Sequence, residues 1–275
     1  MKSIRVVLPL LCFALVIAGD SAKAPSPWRV VDSGLSIGEF LPALPGYTGT
    51  TKIIIVKIDP HKYQLKLLTA AEYKHESLRA PEWCEKYGLV AAINAGMFLP
   101  DYKTNVGYMK NFQSVNNPRI HRTYLSVAAF NPRKQSKPPF KIYDADVTKV
   151  EDIQKAYHSV VQNLRLIQRP GKNKWSQQTK KWSEAALGQD KDGNILFIFS
   201  RAPFTMYDFN EILLALPIKL VCAQHLEGGP EASLFLSHKN TKLELVGSFE
   251  SAFNETYTHT TFLPIPNVLG IVKKK

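Results

Sequence analysis

The stretch that most restricts the fold runs from Ala185 to His225. Ala185-Leu187 and Asn194-Ser200 are apolar, β-prone runs separated by Asp190-Lys191-Asp192-Gly193, a turn signal that predicts an antiparallel hairpin. Thr205-Met206-Tyr207-Asp208 follows and resembles a capping box, with Asp in place of the usual Glu, opening a helix to Leu216. Pro217 stops that helix, and residues 218–225 read as a buried strand. This strand delivers Glu227-Gly228-Gly229-Pro230-Glu231, two acids four residues apart around a Gly-Gly-Pro break, and a second apolar run follows. A hairpin, a helix and a return strand ending in an acidic turn are incompatible with a helical bundle.

The rest of the chain reads as strand-rich too. Thr51-Ile58 and Tyr63-Thr69 flank a turn at Asp59-Lys62, and Leu89-Ile93 is a short buried strand ending at Asn94. Further strands are expected at 124–130, 140–143, 160–167, 243–246 and 268–272. Short helices are expected at 81–87, closed by Gly88, and near 150–158. Residues 99–122 are irregular and too long for a plain connection, which suggests a functional loop. Residues 25–50, rich in Pro, Gly and Ser, are expected to lie over the surface as an arm. The expectation is one α+β domain over 51–275, with a mixed, largely antiparallel twisted sheet and a few helices.

The first 24 residues read as a secretory leader. Lys2 and Arg5 precede an apolar run from Val6 to Ala18, and Ala22-Lys23-Ala24 is an A-x-A cleavage site. A periplasmic or secreted protein is therefore expected. The net charge of +12 falls by two when the leader's three cations and one anion leave, and the remaining surplus suits anionic ligands or an anionic envelope surface. Nucleic acid fits poorly, because the basic residues are dispersed and the leader takes the chain out of the cytoplasm. Cys84 and Cys222 survive processing, and either a disulfide or two free thiols is consistent with their positions.

Several chemistries lack their motifs. His75-Glu76 begins like H-E-x-x-H, but Arg79 occupies the second histidine's place. No nucleophile elbow, dinucleotide fingerprint or phosphate-binding loop occurs, so no cofactor is expected. No complete calcium-ligand spacing is visible, and the metal question stays open. What recurs is an apolar strand followed by Gly with an amide or acid. Asn94 with Gly96, Gln162 with Asn163, Asp190 with Asp192, Arg201, and the Glu227/Glu231 turn form this series.

Five ordered blocks carry a family resemblance. Ala92-Ile93-Asn94-Ala95-Gly96-Met97-Phe98 resembles the N-G-G-F/Y block of the phosphodiester glycosidase family. Gln162-Asn163 through Leu166-Ile167 is similar to its Q-S-x-x-x-L-[VI] strand, and Ala186 to Gly193 to its A-[IV]-G-x-[DS]-x-D-G hairpin. Leu226-Glu227-Gly228-Gly229 with Ser233 is similar to its L-D-G-G-x-S turn, and Pro266 to Ile271 to its closing strand. Glu227 stands for the family's Asp, and Ser183-Glu184 for a common Arg.

The resemblance implies an exported hydrolase that cleaves a sugar-1-phosphodiester or related anionic glycoconjugate at the anomeric carbon. Glu227 would be the acting carboxylate, with Glu231 or Asp190 as the second acid. Asn94 and Gln162 would position sugar hydroxyls, Arg201 would hold phosphate, and Ser233 completes the turn. Gly96, Gly228 and Gly229 would permit close approach. The alternative is a non-enzymatic glycan or cell-envelope binding module on the same scaffold.

Overall fold

A computed structural model describes residues 26–45, 49, 51–248 and 260–275. The expected leader and its cleavage site lie outside these residues.

The chain begins with strands β1 (Trp28–Asp32), β2 (Leu35–Phe40), β3 (Ile53–Ile58) and β4 (Tyr63–Thr69). Helices α1 (Ala70–Tyr73) and α2 (Ala80–Tyr87) lead to β5 (Ala91–Asn94), β6 (Met109–Asn111) and β7 (Ser114–Asn117). Next come β8 (Ser126–Pro132), β9 (Phe140–Asp144), α3 (Val150–Ala156), β10 (Tyr157–Asn163), β11 (Arg165–Gln168) and β12 (Lys172–Asn173). Then β13 (Trp182–Asp190) and β14 (Ile195–Phe204) precede α4 (Met206–Ala215) and β15 (Leu220–Gly228). A 3-10 turn, Gly229–Glu231, leads to β16 (Ser233–His238), β17 (Thr241–Val246) and β18 (Asn267–Lys273).

These strands form three sheets. The largest has the order β1-β2-β3-β14-β13-β15-β11-β12, the second β7-β6-β10-β8-β9, and the third β17-β16-β5-β18-β4. Every pairing between named strands is antiparallel. The architecture is thus mostly β with few helices, and among the described residues the expected largely antiparallel sheet shows no parallel pairing between named strands.

Period-two side-chain alternation explains the layers. Along β14, Ile195, Phe197 and Phe199 enter a central core shared by the three sheets, while Leu196 and Ile198 enter a second cluster under α4. β3 divides in the same way, sending Val56 and Ile58 inward and Ile53 and Ile55 toward α4. Each such side chain contributes about 1.5–3 kcal/mol on burial, so a sheet buried on both faces is the natural centre of this chain. α2 covers the outer face of the third sheet with Trp83 and Cys84, and α3 covers the second with Val150 and Ile153.

The local signals explain the helix ends. Thr205 Oγ1 accepts from the Asp208 amide at 3.0 Å and opens α4. Gly88, at φ 62°, closes α2. The expected surface arm instead contains the β1–β2 hairpin, which extends the large sheet by pairing with β3. Ile37 and Leu35 are buried there despite the Pro-, Gly- and Ser-rich surroundings. The irregular stretch 99–122 contains a second unexpected hairpin, β6–β7. Cys84 and Cys222 are both free and buried, in separate clusters, and burial pushes each thiol up to about 12.

Candidate active site

The candidate site lies where β13 and β15 end together. Their register sets Glu184 opposite Gly228 and Ala185 opposite Glu227, with an irregularity before Ala186 pairs with His225. His225 and Glu227 lie on either side of that irregularity, with Leu226 as the extra residue between them. Both line a cavity of ≈ 390 Å³ whose walls include Met97, Leu164, Trp182 and Met206. Two ionisable groups thus sit in the wall of an otherwise apolar recess.

Glu184 and His225 form a buried pair, with His225 Nδ1 2.5 Å from Glu184 Oε1. Trp182 Nε1 donates to Glu184 Oε2 at 3.1 Å, so both carboxylate oxygens are held. Burial raises the affinity of Glu184 for a proton, partly offset by His225 and by the Trp182 hydrogen bond. Burial works against charge on His225, but the Glu184 carboxylate, its hydrogen bond and the Glu227 charge outweigh it and hold the imidazole above its ordinary value. The pair thus retains a proton within an apolar wall.

Glu227 is half-buried. Burial pushes its carboxyl up to about 7, aided by the charges of Glu231 and Glu184 and opposed by His225 and the Gly228 amide. The Gly228 N–H donates to its Oε1 at 3.1 Å. Burial and the Glu227 charge also raise the Tyr124 phenol, placing the segment before β8 within the electrostatic reach of the site.

The acidic turn is anchored from a distant strand. Asn94 Nδ2 donates to the Glu231 carbonyl at 3.0 Å, and Asn94 Oδ1 accepts from the Ser233 amide at 2.7 Å. Ser233 Oγ also donates to the Glu231 carbonyl. Gly228 accommodates the Trp182 ring, since an added Cβ would lie 2.6 Å from its Cδ1. Gly229 occupies the left-handed region at φ 66°.

Several expected site residues have other work. Gln162 accepts from the Tyr108 and His121 amides and donates to the His121 and Tyr124 carbonyls. Its amide capacity is used, which leaves nothing for a sugar hydroxyl. Asn94, which is buried, gives one donor and one acceptor to the turn. Gly96 packs against the side chains of Asn105 and Asn163. Arg201 Nη1 donates to the Val246 carbonyl at 2.7 Å, tying down the end of β17, and Arg201 is not among the residues lining the Glu227 cavity.

Asp190 lies at the opposite end of β13, six residues from Glu184, or roughly 20 Å along a strand. Its Oδ1 accepts from the Asp192 and Asn194 amides and its Oδ2 from the Asn194 side chain. It is a turn former, too remote to share the Glu227 cavity. Glu227, Gly228 and Gly229 do converge, with Glu231 on the adjoining turn. Glu184, His225 and Trp182 were not expected. Neither the irregularity that brings His225 and Glu227 to one cavity nor the Glu184–Gly228 register was readable in the sequence. Among the described residues, no group of three or more His, Cys, Asp or Glu side chains forms a metal site.

The phosphodiester glycosidase family profile matches residues 87–272, and the chain belongs to that family. The fold is similar to the catalytic domain of zebrafish N-acetylglucosamine-1-phosphodiester alpha-N-acetylglucosaminidase, a structure auto-inhibited by its pro-peptide. That similarity has a TM-score of 0.61 at 13% identity and covers 90% of this chain and 86% of the other. A hypothetical protein from Synechocystis is also similar, with a TM-score of 0.57 at 14% identity, over 88% of this chain and 62% of that one. No functionally curated protein matches by sequence.

Proposed function

We propose that this chain hydrolyses a sugar-1-phosphodiester, or a related anionic glycoconjugate, at the anomeric carbon, with Glu227 as general base. The observation that carries this reading is the convergence of Glu227 and His225, itself paired with the buried Glu184, on one cavity within the family-matched segment. A carboxyl that titrates near neutral pH is suited to taking a proton from water. Water adds to C1 while Glu227 accepts its proton. The C1–O bond breaks, and its electron pair leaves with the phosphate as a phosphomonoester. This leaving group needs little protonation but gains from a nearby positive charge. His225, held in its proton-bearing form by Glu184, supplies that charge in place of the engaged Arg201. Glu231 tunes Glu227 through its charge.

The test is incubation with N-acetylglucosamine-1-phosphodiesters and a panel of other sugar-1-phosphodiesters, with free sugar and phosphomonoester quantified by mass spectrometry. Turnover by the native chain and its loss in Glu227→Gln are expected. No turnover of any member, together with intact glycan binding by Glu227→Gln, would instead favour the binding-module alternative. The apolar leader and Ala22-Lys23-Ala24 support an exported enzyme. Sequencing the exported protein should find an N-terminus just after residue 24.

A further inference from the structure

A second recess, of ≈ 330 Å³, lies at the seam between the second and third sheets and shares no lining residue with the Glu227 cavity. Two large aromatic side chains flank it and remain open to solvent, Tyr73 at 42% and Phe112 at 45%. Phe112 sits in the two-residue connection of the β6–β7 hairpin at φ 50°, a conformation that bulky residues rarely adopt. Its amide donates to the His158 carbonyl at 2.9 Å, and its ring stacks on the His158 imidazole with centroids 5.0 Å apart and planes 14° apart. The phenyl ring is thus held in a defined orientation while much of its surface stays exposed.

Between these aromatics runs a hydrogen-bonded polar chain. Asn111 Nδ2 lies 3.2 and 3.1 Å from the two Glu72 oxygens. Ser159 Oγ donates to Asn111 Oδ1 at 2.8 Å, and Asn131 Nδ2 donates to Ser159 Oγ at 2.8 Å. Glu72 has no cationic partner among the described residues, and one amide leaves several of its acceptor positions unfilled. Burial raises the Glu72 carboxyl above its ordinary value. The recess therefore combines apolar ring surface with a planar amide and a carboxylate in fixed orientation, and Gln64 and Lys66 complete its polar lining.

We infer that this seam is a second glycan-binding site, taking an uncharged pyranoside unit with its C–H face on Phe112 or Tyr73 and its hydroxyls on Glu72 and Asn111. A pyranose offers that pairing of one apolar face and a rim of vicinal hydroxyls. Aromatic rings serve the face, and planar carboxylate and amide groups serve the rim. A lipid chain would leave Glu72 and Asn111 without their water, which disfavours a purely apolar occupant. The site stands apart from the hydrolase reading, because no residue in it belongs to the Glu227 cavity.

The experiment titrates the full chain carrying Glu227→Gln with maltotriose, cellotriose and chitotriose, followed by amide chemical-shift mapping. Binding of at least one trisaccharide in the ~0.1–5 mM range is expected, with shifts centred on Tyr73, Asn111 and Phe112. Phe112→Ala should weaken it at least ~10-fold, while Phe112→Tyr should stay within ~3-fold of the parent. An unchanged thermal midpoint in Phe112→Tyr separates loss of the platform from loss of fold. Three results would overturn the inference: no trisaccharide binding, shifts confined to the Glu227 cavity, or binding indifferent to both Phe112→Ala and Tyr73→Ala. Hydrolysis, present or absent, decides none of these outcomes.

Discussion

The β13–β15 ladder carries acids at both ends, and the ends behave differently. At one end Asp190 is bonded by the amides of its own turn and by the Asn194 side chain, all within four residues. At the other, Glu184 is held by His225, 41 residues away in sequence, and Glu227 faces a cavity with a single amide on its carboxylate. Both ends look alike in sequence, as strands running into acid- and glycine-bearing turns. An acid saturated by its own turn has spent its acceptor capacity on shape. One held from afar in an apolar wall keeps both its capacity and a shifted affinity for protons.

Glu227→Gln gives the largest expected break in that contrast. Removing a general base typically costs 10²–10⁴-fold, and a loss of roughly 10³-fold in kcat/KM is expected on a sugar-1-phosphodiester. The native rate should rise with pH through about 7, as Glu227 ionises, and fall on the alkaline side as His225 loses its proton. Stability has the opposite slope on the acid side. Glu227 binds its proton more tightly in the folded chain than at its ordinary 4.5, so its contribution is present below 4.5 and lost as pH rises through about 7. Glu227→Gln should therefore gain stability relative to the native chain at pH 8 and lose that advantage near pH 4, as read by denaturant midpoints.

Glu184→Gln comes next. The substitution keeps the shape but removes the charge that holds the His225 proton, and a loss of ~10–100-fold is expected, the range for groups that orient a reacting side chain. The diagnostic readout is the pH profile. Its alkaline limb should move to lower pH, because the imidazole keeps the burial penalty while losing the compensating carboxylate. A simple packing defect would lower the rate at every pH and leave the limb in place.

How far the sequence foretold this contrast depended on the range of the interactions. The β13–β14 hairpin and the α4 cap are set by neighbours within a few residues, and both were legible. Glu227 was legible because its Gly-Gly context and the family blocks mark it. Glu184 was seen only as a departure from an expected Arg, since its meaning depends on a register with Gly228 that no local signal encodes. The backbone bonds of Gln162 and Arg201 were illegible for the same reason. A polar side chain at a strand end reads as free until the backbone it anchors, at 121–124 or 246, is in place. The β1–β2 hairpin was hidden by Pro- and Gly-rich flanks, although Leu35 and Ile37 are fully core residues.

Asn94→Ala tests whether the active end depends on long-range anchoring. The change leaves the Glu231 carbonyl with only Ser233 Oγ and the Ser233 amide without its acceptor, costing ~1–3 kcal/mol in a thermal or denaturant titration. Because the turn carries Glu231 and follows Glu227 directly, activity should fall several-fold as well. A stability loss with unchanged kcat/KM would mean that the turn's position is fixed without Asn94.

The smallest effect on activity is expected at Asp190, and it is the sharpest check on the comparison. Asp190→Ala removes three hydrogen bonds from the Asp190–Asn194 turn, so a stability loss of roughly 1–3 kcal/mol is expected. The rate should stay within ~2-fold of the native value, because about 20 Å of strand separates this turn from Glu184. Measured below the variant's melting transition, kcat/KM isolates chemistry from the population of folded chain. A tenfold loss there would show that the two ends of β13 are coupled, and saturation by a residue's own turn would no longer separate structural from reactive acids in this fold.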